Sequence, residues 1–173
     1  SGLVAGDATD GSVGIGAGAF NADAPAAGPA VNAYPLTVPE GSTALRVDVD
    51  SASDGNDLDL YLYNSTGELV ALSATGSADE QVTWPGVPAG EYTVYVHGWG
   101  GSAPAAYTKT TYIVGDTDEG NLTVDPASVA VDVGEEVTFT FEWAGLDADS
   151  SYLGWVGYRK AGDTVGLTLV SVD

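Results

Sequence analysis

The chain has 173 residues, with 25 acidic side chains against four basic ones (Arg46, Lys109, Arg159, Lys160), for a formal net charge of −21. Such a charge repels nucleic acid and anionic membrane surfaces, so neither is an expected partner. The absence of Cys excludes disulfides, thiol chemistry and zinc-thiolate sites. No apolar run approaches the ~20 residues that cross a bilayer as a helix, so membrane insertion is not expected. The 44% hydrophobic content and the nine Tyr, four Trp and three Phe argue against disorder. Most of the carboxylates read as a solvated acidic surface. The chain lacks a signal peptide and opens on Ser1-Gly2, so we expect a piece of a longer precursor.

In chain order, the first 34 residues are rich in Ala and Gly, with weak strand signals at 12–17 and 18–22. Clear period-two runs follow at residues 45–50, 58–63, 68–73, 81–84, 91–98 and 107–114. The acidic, Gly-bounded stretch 115–120 marks a boundary. Beyond it the runs are 121–125, 129–133, 136–143, 152–160 and 165–172. No stretch holds a 3.6-residue period, so the fold class is all-β, built from antiparallel β-sandwiches.

Alternation assigns the faces. Leu58, Leu60 and Leu62 share one face of their strand, and Asp57, Asp59, Tyr61 and Tyr63 the other. Tyr92, Val94 and Val96 point one way, and Thr93, Tyr95, His97 and Trp99 the opposite way. Trp84, Trp143 and Trp155 read as core. Residues 115–173 alone are short against the roughly 100 residues of a seven-stranded sandwich. Two organisations follow: residues 35–114 form one module and 1–34 plus 115–173 a discontinuous second one, or residues 1–34 are a linker.

The run Asp57-Leu58-Asp59-Leu60-Tyr61-Leu62-Tyr63, followed by Pro88-Ala89-Gly90-Glu91-Tyr92-Thr93-Val94-Tyr95-Val96, resembles the bacterial pre-peptidase C-terminal domain. Thr9-Asp10-Gly11-Ser12-Val13, Glu80-Gln81-Val82-Thr83, Gly120-Asn121-Leu122-Thr123-Val124 and the closing Leu169-Val170-Ser171-Val172-Asp173 resemble C-terminal extensions of secreted subtilisin-like serine peptidases. The resemblance implies a jelly-roll-like module plus an immunoglobulin- or fibronectin III-like one. It implies secretion, an extracellular location and a peptidase catalytic domain in cis. It carries no catalytic residue into this chain. The expected function is a non-catalytic accessory region that assists folding, secretion, stability or substrate engagement. The alternative is a free-standing carbohydrate- or surface-binding adhesin module.

The chemistry of the residues agrees with a non-enzyme. A serine peptidase needs Ser, His and Asp converging, yet His97 is the only histidine and neither G-T-S-M-A nor G-x-S-x-G occurs. Asp48, Asp50, Asp54, Asp57 and Asp59 place five carboxylates within twelve residues, with Asn56 among them. Calcium takes six to eight oxygen ligands, so Asp54, Asn56, Asp57 and Asp59 form a candidate calcium site. A polar turn with solvated acids is the competing reading, and the EF-hand spacing is absent. On the outward face, Tyr61, Tyr63, Tyr95, His97 and Trp99 form a candidate binding face for a polymeric protein or polysaccharide. The same face has a second reading, as a surface that packs on another domain.

Overall fold

The structure is a computed structural model and describes residues 2–173. All of its regular structure is strand: β1 (Val4–Ala5), β2 (Asp7–Val13), β3 (Val31–Val38), β4 (Ser42–Ser51), β5 (Asp57–Asn64), β6 (Leu69–Ser73), β7 (Glu80–Pro85), β8 (Gly90–Gly100), β9 (Ala105–Gly115), β10 (Leu122–Asp125), β11 (Thr140–Trp143), β12 (Tyr152–Lys160) and β13 (Asp163–Val172). Every strand pairing is antiparallel. The chain divides into two compact units, one of Gly6–Gly115 and one joining residues 2–5 to Asp116–Asp173.

The larger unit is a sandwich of two four-stranded sheets, ordered β2-β9-β4-β7 and β3-β8-β5-β6. Its core is what the alternation dictates. Leu45, Val47 and Val49 of β4 meet Leu58, Leu60 and Leu62 of β5, with Val82, Tyr92, Val94 and Val96 closing the layer. Burying each of these large side chains contributes about 1.5–3 kcal/mol.

β3 has no counterpart among the runs read from sequence. Pro35 interrupts its pattern, and a proline removes a ladder donor. β3 tolerates it because it is an edge strand, paired only with β8. The weak signals at 12–17 and 18–22 resolve into β2 and a strap without regular strands that crosses residues 14–30.

In the smaller unit, β1-β12-β13 form one sheet and β10-β11 another. Asn121 ties the two parts of the chain together: its Oδ1 accepts from Leu3 N at 2.8 Å and its Nδ2 donates to Leu3 O at 2.8 Å. Gly154 is required where the chain passes closest, since a Cβ there would stand 2.7 Å from the Gly2 carbonyl. The sequence expectation put residues 1–34 with 115–173. The pairing of β2 with β9 and of β3 with β8 instead puts residues 6–34 in the larger unit.

Two further expectations differ from the structure. Residues 129–133 form no strand, and Val129, Val131 and Val133 are exposed. A strand persists only within a ladder, and no described strand pairs with this segment. Trp143, read as core, is 50% exposed at the end of the short β11.

Candidate functional site

The outer face of the β3-β8-β5-β6 sheet collects most of the residues singled out from sequence. Asp59 pairs with His97 and Tyr61 with Tyr95 across β5 and β8. Tyr61, Tyr63, Tyr95 and His97 therefore do share one face, and the strap covers it. Phe20 stacks on Tyr61 at 4.1 Å between ring centroids and lies 5.8 Å from both Tyr95 and His97. Tyr63 OH donates to Ala22 O at 2.9 Å, and Tyr95 OH to Pro25 O at 3.3 Å. Gly98 admits the strap, because a Cβ there would collide with the Gly14 carbonyl. Phe20 and the strap carbonyls went unread in sequence. The available signal was a single aromatic residue inside an Ala/Gly-rich stretch.

His97 lies at the centre, 1% exposed. Its Nε2 is 2.9 Å from Gly16 O, and its Nδ1 is 3.0 Å from Asp59 Oδ2, which also accepts from Tyr61 OH at 3.0 Å. A carbonyl only accepts, so Nε2 carries a hydrogen. Nδ1 faces the Asp59 carboxylate, which together with Gly16 O fixes the orientation of the ring. The pair has the outline of half a catalytic triad. Its free nitrogen is spent on a backbone carbonyl, where a peptidase would present a serine hydroxyl.

The residues of the candidate calcium site sit in different surroundings. Asp54 is exposed in the β4–β5 turn. Asn56 is buried, its Oδ1 accepting from Ser102 N at 3.2 Å and its Nδ2 donating to Ser51 Oγ at 3.0 Å. Asp59 is engaged by His97 and Tyr61. Among the described residues no group of three or more acidic or histidine side chains is set to hold a metal ion.

What remains open is the end of the face beyond the strap. A pocket of about 370 Å³ is lined by Asp57, Asp59, Tyr61, Ala74, Thr75, Gly76 and Trp99. Trp99 reaches it through a β-bulge: Gly98 pairs with Leu58 and Gly100 with Asp57, so Trp99 is the extra residue, 47% exposed. Bulges re-aim side chains in this way. Behind the pocket, Glu80 is buried and satisfied by Thr75 N at 2.9 Å, Thr75 Oγ1 at 2.6 Å and Ser73 Oγ. Asp57 lacks such support: its Oδ1 is buried without a hydrogen-bond partner. Burial, then the charges of Asp59 and Glu80, hold its carboxyl above the ordinary value, and His97 offsets this in part. Burial and the bond to Asp59 likewise raise the Tyr61 phenol.

Comparison with known proteins finds three likenesses. Residues 30–98 match the family of the bacterial pre-peptidase C-terminal domain. Pyrolysin of Pyrococcus furiosus is 33% identical over 132 residues, 73% of this chain. The chain spans only 9% of pyrolysin's length. A crystal structure of the pre-peptidase C-terminal domain of a collagenase from Bacillus anthracis covers 62% of this chain and 89% of its own. It is 15% identical, with a TM-score of 0.47. Within its larger unit, residues 30–98 of this chain are thus similar to the bacterial pre-peptidase C-terminal domain.

Proposed function

We propose that the chain is the accessory region of an exported peptidase, and that it engages polypeptide substrate for a catalytic domain in the same polypeptide. The observation that carries this reading is the open pocket beside Trp99. Elsewhere the aromatic face is closed by the chain's own strap, whereas here the Trp99 indole, the Tyr61 phenol and the Asp57 carboxyl line an open pocket. The buried, unpartnered Oδ1 of Asp57 at this pocket supports a role in binding. The match to pyrolysin supports the peptidase context.

The test is to delete this region from the parent peptidase and compare two substrates. Turnover of a folded or insoluble protein should fall several-fold, while hydrolysis of a short soluble peptide stays unchanged. Equal loss on both would point to folding or stability in place of substrate engagement. The isolated chain should hydrolyse neither casein nor activated esters, since His97 Nε2 is bound to Gly16 O.

A further inference from the structure

We propose that the pocket between Trp99 and Asp57 is a receptor for the guanidinium of an arginine side chain on a polypeptide, a deepening of the substrate-engagement reading on which it rests. The argument begins with charge. Asp59 is engaged by His97 and Tyr61, and Glu80 has three donors from Ser73 and Thr75. Asp57 lines the pocket with its Oδ1 buried and without a hydrogen-bond partner, and burial, then the charges of Asp59 and Glu80, raise its carboxyl. A cation placed here relieves that repulsion. None of the chain's four basic residues lines the pocket.

The shape then selects the kind of cation. A bare metal ion needs six or more oxygen ligands in the calcium case, and the described residues gather no three acidic side chains around one point. The cavity, at about 370 Å³, is also far larger than an ion and has aromatic walls. An indole face offers nothing to a metal but attracts an organic cation. Trp99, thrown outward by its bulge, and Tyr61, fixed by its bond to Asp59, supply those walls. A guanidinium is planar, weakly hydrated and able to stack on a ring while pairing with a carboxylate. A lysine ammonium offers no flat face and keeps its water more firmly.

The full chain is titrated with N-acetylated, C-amidated Gly-Arg-Gly, followed by the nuclear magnetic resonance shift of the Trp99 indole N–H. Saturable binding is expected. It should weaken about tenfold for the uncharged citrulline peptide, and measurably for the lysine peptide. Asp57→Asn and Trp99→Ala should each weaken it about tenfold, and Glu40→Gln, an exposed acid elsewhere on the same unit, should not. The proposal is overturned by absent saturation, by equal binding of the citrulline or lysine peptide, or by Glu40→Gln matching Asp57→Asn. It is also overturned if calcium displaces the peptide more effectively than sodium chloride of equal ionic strength, which would make the pocket a metal site. Arginine binding without any effect of deleting the region from the parent peptidase would refute the substrate-engagement reading and leave the pocket standing. The reverse result would refute the pocket alone.

Discussion

Asp57 holds its charge at a cost, and the sign of that cost is testable. Its carboxyl is raised above the ordinary value in the fold, so the folded chain holds that proton more tightly than the unfolded chain does. The associated stabilisation is present below the unfolded value and is lost as pH rises through the raised folded value. At neutral pH the ionised Asp57 therefore works against folding. Asp57→Asn should raise the melting temperature at pH 7, and the gain should shrink as pH falls through the raised folded value and vanish below the unfolded value of about 4. A melting series across pH on both proteins decides it; a lower melting temperature at pH 7 would mean that something compensates the charge. Leu60→Ala makes the contrast, costing about 3 kcal/mol at any pH from a fully buried site. The difference between these residues also explains what the sequence revealed. Leu58, Leu60 and Leu62 were legible because burial follows the two-residue period of a strand. Asp57 and Asp59 occupy equivalent positions on the opposite face, yet one is paired and the other is not. That depends on His97, 38 residues further along, and no local pattern encodes it.

The strap is the element that most changes the reading of the face. Tyr61, Tyr63, Tyr95 and His97 were assigned to one face from period two alone, and the register of β5 on β8 puts them there. Their cover was not legible, because residues 14–30 have neither period two nor period 3.6. The strap is held instead by Phe20 and by carbonyls accepting from Tyr63, Tyr95 and His97. The same limitation hid β3, whose Pro35 is acceptable only because the strand lies at an edge. It also produced a strand at 129–133 where the alternation is present but a partner is not. Phe20→Ala should cost about 2 kcal/mol, less than the ~3–5 kcal/mol of a fully buried phenylalanine, since Phe20 is half-buried. Urea denaturation measures the loss. Tyrosine accessibility to a soluble quencher should rise at the same time, as Tyr61 and Tyr95 lose their cover. An unchanged quenching profile would mean that the strap stays seated without its aromatic anchor.

At the scale of the whole molecule, the chain visits its smaller unit twice, first with residues 2–5 and again from Asp116 onward. A discontinuous unit was legible as a shortage of length in residues 115–173. The amount of N-terminal chain that completes it was not, because β2 and the first strand of a separate domain look alike in sequence. The completing piece is small but specific. β1 adds to β12 through Val4 and Ala5, Leu3 is buried, and Gly2 N donates to Thr117 O at 3.2 Å. Asn121 then closes both backbone groups of Leu3. Deleting residues 1–5 removes about 2 kcal/mol of leucine burial and leaves the Asn121 side chain without either bond. For a unit whose fully buried side chains are few, such a loss is a large fraction of ordinary domain stability. Hydrogen exchange should then show protection falling across β12 and β13, while β4, β5, β8 and β9 keep theirs. Asn121→Ala should reproduce the effect in weaker form, by about 1–3 kcal/mol, because Leu3 remains available to the core. If the deletion leaves exchange in β12 and β13 unchanged, the N-terminal strand is dispensable and residues 116–173 fold alone. If exchange rises equally in β4 and β5, the stability of the two units is coupled and the chain unfolds as one.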